Sequence, residues 1–363
     1  MHFLFATTNT GKTILVTGAG GCIGSALTLA LASSNPRFLV LLDQSEQNLH
    51  EINLQLASAG KSSYVAILGD ILDASLMSEI FERYHPQTIY HAAAFKHVPL
   101  MESNPIAVAR NNALGTWELA KAAVRFGAER LLMISTDKAV NPRSIMGASK
   151  RVAELALLAM SDSLVANSKT SLSTKPGANT KLNAVRLGYV LGSQGSVGPL
   201  FRQQIQQSGP VTVTHPEASR YFLMLSESVE LIMAAAAFDD SGSVLIPKMC
   251  EPVKIVDFAR RMIQEAGETR ADVQIEFTGL RPGDKLQEDL VYAYEALQPS
   301  SDERFYRASG PPCDPHAVAA ALKNISEAVR ERNLTSLIAA LCQLVPEYQP
   351  SETLLALLNP SLA

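Results

Sequence analysis

Thr13-Ile14-Leu15-Val16-Thr17-Gly18-Ala19-Gly20-Gly21-Cys22-Ile23-Gly24 joins a short apolar run to a glycine cluster, and that join decides the fold. The strand-forming run leads straight into Gly18-x-x-Gly21-x-x-Gly24, and a helical pattern follows to Ala32. Strand, tight turn and helix in that order are the pattern of a dinucleotide-binding unit's opening, although a glycine-rich turn can also serve backbone geometry alone. Glycine lets the backbone turn sharply and lets a pyrophosphate approach the amides at the helix start. Asp43 closes a second apolar run, Phe38 to Leu42. A carboxylate there accepts from both hydroxyls of an adenosine ribose and repels a 2′-phosphate, which favours NAD over NADP. Asp70, in Leu68-Gly69-Asp70-Ile71, is placed for the adenine edge, although a plain turn residue would look the same.

Outward from this unit, Tyr64 to Leu68, Thr88 to Ala93 and Arg130 to Ser135 read as further strands. Asn48 to Leu56, Leu76 to Tyr84, Val108 to Phe126 and Ser149 to Met160 read as the helices around them. Uninterrupted apolar strands spaced by helices predict an α/β, Rossmann-type doubly wound parallel sheet. The polar stretch 161–181 reads as a mobile surface insertion, and Leu182 to Leu187 as a return to strand. A smaller C-terminal substrate-binding lobe is expected to follow, with helices over Val253 to Ala266 and Pro315 to Arg332. The expected divisions are an extension (1–12), a mainly NAD-binding part (13–190), an interleaved sugar-nucleotide lobe (191–345) and a tail (346–363).

With 363 residues, 47% hydrophobic and 18% charged, the chain has a globular composition. Its net charge of −4 argues against nucleic acid as a partner. Cys22, Cys250, Cys313 and Cys342 have no metal-ligand spacing and suggest free, buried thiols in a reducing compartment, with no metal. The start has no signal-peptide pattern, and no run reaches the ~18 apolar residues of a membrane span. A soluble, cytoplasmic protein is expected, and a homo-oligomer is compatible with the exposed helices.

A standard short-chain dehydrogenase has a Tyr four residues before a Lys on one helix face. Here the place is taken by Met146-Gly147-Ala148-Ser149-Lys150, and a thioether exchanges no protons. Ser135-Thr136-Asp137-Lys138, at the carboxyl end of the fifth strand, supplies a hydroxyl, a carboxyl and an amine in succession. A helix cap followed by a solvated charge pair would account for the tetrapeptide as well.

The runs LVTGAGGCIGS, LLDQSEQNLHEI, HAAAFKHVPLMESNP, ISTDKAVNPRSIMGASKR, VLGSQGSV, VTHPEASRYF and GLRPGDKLQE resemble the CapD-like family, in this order and over nearly the whole chain. Its members are extended short-chain dehydrogenases acting as UDP-N-acetylglucosamine 4,6-dehydratases in bacterial surface-glycan synthesis. Met146 resembles a branch with TDK and MxxxK motifs, many of whose members are membrane-anchored. The resemblance implies that Thr136 orients the C4 hydroxyl while NAD takes the hydride. Lys138, its pKa depressed by burial and by Lys150, removes the C5 proton, and a protonated Asp137 serves the departing C6 hydroxyl. Lys150 would hold the nicotinamide ribose. The expected cofactor contacts are Gly18, Gly21, Cys22, Ile23, Gly24, Asp43, Ser45, Asp70, Ile71, Ala92, Ala93, Ala94, Lys96 and Lys150. Lys96, His97, Tyr189, Ser196, Arg220 and Arg281 are the expected contacts of a UDP-N-acetylhexosamine, the two arginines as diphosphate ligands.

The chain departs from the family pattern at Tyr189, where Asn is usual, at Ala26 for Glu, at Cys22 for Ser, and over Pro247-Lys248-Met249-Cys250. Two other readings stay open: a 4-epimerase or 5-inverting variant, and a non-catalytic NAD-binding module.

Overall fold

The computed structural model describes residues 8–170, 177, 179–193, 195–267 and 272–358. Six strands, β1 (Thr13–Thr17), β2 (Phe38–Asp43), β3 (Tyr64–Leu68), β4 (Thr88–His91), β5 (Arg130–Thr136) and β6 (Lys181–Leu187), run parallel in the order β3-β2-β1-β4-β5-β6. Ser243–Pro247 adds a parallel strand beside β6. The antiparallel strands Phe305–Ser309 and Ala296–Pro299 then complete a nine-stranded sheet. The expected Rossmann-type sheet is what the chain forms. Apolar residues cover both faces: Ile14 and Val16 point to one buried cluster, Leu15 to the other.

Register places the site. Thr17 pairs with Leu42 and with His91, so β1, β2 and β4 end together. Asp43 pairs with Leu68, which brings Gly69-Asp70 beside it. The order of strands reverses between β1 and β4, and a ligand crevice opens at such a point.

Several elements depart from the sequence reading. The helix expected to end at Met160 runs from Ile145 to Thr170, so the first ten residues of the polar stretch 161–181 are helical rather than an insertion loop. Residues 171–176 and 178 of that stretch lie outside the described residues. The long helix expected over Val108 to Phe126 begins at Pro105 and contains a π-helical stretch, Ala109–Leu114, before Gly115–Arg125. Val253–Lys254 is a strand ahead of the helix Ile255–Glu265.

The smaller lobe packs its own core from Phe201, Val211, Ile255 and Ala259. The helix expected there over Pro315 to Arg332 is Pro315–Arg330, and it does not join that core. Val318, Leu322 and Ile325 pack with Met146, Val152 and Ala156 on the Ile145–Thr170 helix instead, because their i, i+4, i+7 spacing gives one apolar stripe that this helix covers. The cysteines are free as expected but not buried: Cys250 is exposed and the other three are half-buried. Among the described residues no helix is long and apolar enough to cross a membrane.

Candidate active site

The glycine turn is built by close packing. Gly18 has φ of 67°, and a Cβ there would lie 2.6 Å from the Ala93 nitrogen. A Cβ on Gly24 would lie 1.9 Å from the Gly18 oxygen, so only glycine lets the helix Cys22–Ala32 start so near β1. Gly21 meets only the Gly18 oxygen, at 3.2 Å, and lines the cleft itself.

That cleft, of about 260 Å³, brings together Gly18, Gly21, Asp43, Ser45, Asp70, Ile71 and Ala92-Ala93-Ala94. Asp43 accepts from the Gly20 amide through Oδ2 and from the Ser45 amide through Oδ1, each at 2.9 Å. A carboxylate has about four acceptor positions, so two remain for ribose hydroxyls. The Ser45 hydroxyl is turned to the helix Glu46–Ser58, which it caps through the Asn48 amide. Asp70 accepts from the Leu72 amide at 2.9 Å and pairs with Arg110 at 3.0 Å, as a turn residue would. Cys22 and Ile23 open the first helix half-buried, and Gly24 is buried below the cleft.

Beneath the cleft, the buried His91 ring bridges Thr17 Oγ1 (2.7 Å) and Thr116 Oγ1 (2.8 Å). The Thr116 hydroxyl donates to the Asn112 carbonyl, so His91 donates from Nε2 and accepts at Nδ1. The ring is neutral: burial, then Lys150, pushes its pKa down to about 3. Sequence reasoning missed Asn112, which accepts from the Phe95 amide (2.9 Å) and donates to the Phe95 carbonyl (3.0 Å) and to Ser149 Oγ (3.1 Å). Its signal was weak: two adjacent asparagines, poor helix formers, in a helical run.

β4 and β5 are neighbours with His91 opposite Met133, so Ala92–Phe95 and Asp137–Lys138 leave the sheet at adjacent strand ends. Thr136 Oγ1 donates to Asp137 Oδ1 at 2.9 Å, and Lys138 Nζ donates to the same oxygen at 3.0 Å. Asp137 Oδ2 is buried without a hydrogen-bond partner. The expected depression of Lys138 is not found. Burial lowers its pKa, but the Asp137 and Glu288 carboxylates outweigh burial and the opposing Arg220, holding the amine above the ordinary lysine range. Glu288 Oε1 stands 3.4 Å from Lys138 Nζ. It is the last residue of GLRPGDKLQE, and nothing in its spacing linked it to Lys138. Lys150 carries the depression instead: burial, opposed by Glu154, takes it to about 8, and Nζ donates to the Ile134 carbonyl at 2.8 Å.

Met146 is buried in the apolar cluster of the Ile145–Thr170 helix. Gly147 lets that helix cross the Asp137–Ala139 turn, since a Cβ there would lie 2.2 Å from the Lys138 carbonyl oxygen. Tyr189 is half-buried, its ring centroid 5.8 Å from Lys138 Nζ and its hydroxyl accepting from the Val197 amide at 2.9 Å. Ser196 Oγ, before that amide, is buried without a partner.

Lys96 and His97 are exposed after β4. Burial lowers the pKa of both; Cys22 opposes it at Lys96, and Lys96 and Arg281 add to it at His97. A Cβ on Gly195 would lie 2.6 Å from the His97 ring, so His97 and Ser196 flank one loop. Arg220, expected to face phosphate, is buried and donates to the carbonyls of Ser219, Lys285 and Leu286. Arg281 is exposed and pairs with Asp284 at 2.8 Å.

The family model described as "Polysaccharide biosynthesis protein" matches residues 14–310. The capsular polysaccharide biosynthesis protein CapD of Staphylococcus aureus is 43% identical over 300 residues, 82% of this chain and 48% of that protein. The probable polysaccharide biosynthesis protein EpsC of Bacillus subtilis is 43% identical over 283 residues, 77% of this chain and 45% of that protein. The chain thus spans about half the length of these curated relatives. Among solved structures, Pen from Bacillus thuringiensis superposes with a TM-score of 0.73 at 28% identity, covering 83% of this chain and 88% of Pen.

Proposed function

We propose that this chain, which belongs to the polysaccharide biosynthesis protein family of CapD- and EpsC-like extended short-chain dehydrogenases, is an NAD-dependent 4,6-dehydratase of a UDP-linked N-acetylhexose. The observation that carries this reading is the Asp137–Lys138 pair at the end of β5. It is a carboxylate–amine pair at the strand end next to the one that leads into the glycine-lined cleft, with one buried carboxylate oxygen unpartnered. Asp43, the Gly18–Gly21 turn and Ala92–Ala94 would hold the dinucleotide, and the two acceptor positions left on Asp43 suit an unphosphorylated ribose. NAD, when held there, would supply the hydride acceptor for C4 and the hydride donor for C6.

The remaining chemistry is a transfer of protons. Thr136 donates to Asp137, which leaves its oxygen to accept from the C4 hydroxyl. Once C4 is a carbonyl, the C5 proton is acidic. Elimination removes that proton and protonates the departing O6. Lys138 gives its own proton to solvent as substrate binds, and the C4 hydroxyl proton passes through Thr136 to Asp137. Asp137 then protonates O6 while Lys138 takes the C5 proton and returns it to C5 as C6 is reduced, so the pair ends as it began. A sugar ring laid over the pair strips it of water and favours its uncharged form, with Lys138 as base and Asp137 as acid. Lys150 would hold the nicotinamide ribose, Met146 serves as an apolar wall, and exposed Arg281 is free to turn from Asp284 to a diphosphate.

Proton NMR of UDP-N-acetylglucosamine with the NAD-loaded protein in deuterated water tests the reading. The expected product is a 4-keto-6-deoxy sugar with deuterium at C5. An epimerised sugar that keeps its C6 oxygen would put the 4-epimerase in its place. An unchanged spectrum for every UDP-N-acetylhexose, with NAD bound, would leave the non-catalytic module.

A further inference from the structure

We propose that Glu288 is a positioning residue for Lys138: it reaches in from the 281–288 segment, orients the amine and sets how readily Lys138 gives up its proton. The inference rests on the reading of Lys138 as the group that exchanges a proton with the sugar.

The Glu288 side chain is almost wholly buried, 1% exposed. Its Oε1 lies 3.4 Å from Lys138 Nζ and 3.7 Å from Arg220 Nε. Its Oε2 lies 3.1 Å from Lys285 Nζ, an ion pair, yet lacks a hydrogen-bond partner. The charged groups facing Lys138 are the carboxylates of Asp137 and Glu288 and the Arg220 guanidinium, with the Tyr189 ring over it. Those facing Glu288 are Lys138, Lys285 and Arg220.

The two carboxylates have different origins. Asp137 precedes Lys138 in the chain and stays with it in any arrangement of the lobe. Glu288 comes from the segment that also carries Arg281 and Lys285, and Lys285 donates to the Val140 carbonyl at 2.6 Å, pinning the segment next to the catalytic turn. Burial by itself pushes the Lys138 amine toward its uncharged form. A second carboxylate at this distance opposes that and keeps the proton on the amine until substrate arrives. Whatever the 281–288 segment binds is thereby linked to the charge state of Lys138.

The test is an NMR titration of protein carrying ¹³C at the lysine ε-carbons, with the Lys138 signal assigned by its loss in Lys138→Arg. In Glu288→Gln, which keeps shape and removes charge, Lys138 is expected to titrate lower than in the parent by about one pH unit or more. Glu288→Asp, which keeps the charge but draws it back, is expected to fall between, and it carries the test if the Gln variant does not fold. The ascending limb of the turnover–pH profile should move in the same direction. A Lys138 titration unchanged in the folded variants overturns the proposal. The titration is read on the free protein without substrate, so its failure is distinct from failure of the dehydratase reading, which the product spectrum decides.

Discussion

Two buried charge clusters stand at adjacent strand ends and differ in how completely they are paired. In the first, Arg186 uses all five N–H donors: on Glu154 (2.9 and 2.7 Å), on Glu295 (2.6 and 3.1 Å) and on the Leu290 carbonyl (3.1 Å). Glu154 also accepts from Ser135 (2.6 Å) and Arg151 (2.9 Å), which fills its oxygens, and Arg151 stacks 4.5 Å from the Tyr292 ring centroid. In the second, Asp137 Oδ2 has no hydrogen-bond partner, Glu288 Oε2 has its ion pair with Lys285 at 3.1 Å, and Lys138 makes a single close hydrogen bond. Buried charge is tolerated when every donor and acceptor is matched. The closed cluster therefore holds the fold, tying β6, the Ile145–Thr170 helix and the Glu295 segment together. The open one has bonding capacity left for a ligand. Ser135, bonded to Glu154 and opposite Arg186 in the sheet, joins the two and fixes the residue before Thr136.

If this contrast is right, mutations at the two clusters fail differently. Arg186→Met takes the bidentate cation from two buried carboxylates and leaves Arg151 to serve both, and should cost about 3–5 kcal/mol of stability, measured by urea unfolding. A loss under ~1 kcal/mol would break the comparison. Asp137→Asn should lower turnover by about 10²–10⁴-fold with a nearly unchanged unfolding midpoint. A large drop in that midpoint would make the second cluster structural too.

Acid sharpens the difference. Glu154 is opposed by burial, but Arg186, by charge and hydrogen bond, and then Arg151 and Ser135 bring its pKa down to about 2, below the ordinary 4.5. The folded form thus binds its proton later than the unfolded chain. The stability it contributes is full above pH 4.5 and declines toward pH 2, with a slope of up to about 1.4 kcal/mol per pH unit from this group. Glu154→Gln, compared with the parent at pH 3 and pH 6, should flatten that slope; an equal slope would remove Glu154 from the account. The smallest effect is expected outside both clusters. Asp43→Asn should weaken NAD binding by about tenfold, read by calorimetry, with stability little changed.

The sequence by itself determined the half of the sheet around the glycine turn. Glycine spacing, uninterrupted apolar strands and a carboxylate at the end of β2 are local patterns, and the parallel register then sets them side by side. Thr136, Asp137 and Lys138 were legible for the same reason, being consecutive at a strand end. Tertiary structure alone decided what those residues are worth. Glu288 reaches Lys138, Glu295 reaches Arg186 and the Tyr189 ring reaches Lys138 only in the folded tertiary structure. The family resemblance put Arg220 against phosphate, yet the carbonyls of Ser219, Lys285 and Leu286 hold it in the chain. Periodicity records which face of an element is apolar, because burial acts on each residue where it stands. The charge a buried group carries depends on partners brought from distant segments, and no spacing along the chain encodes them.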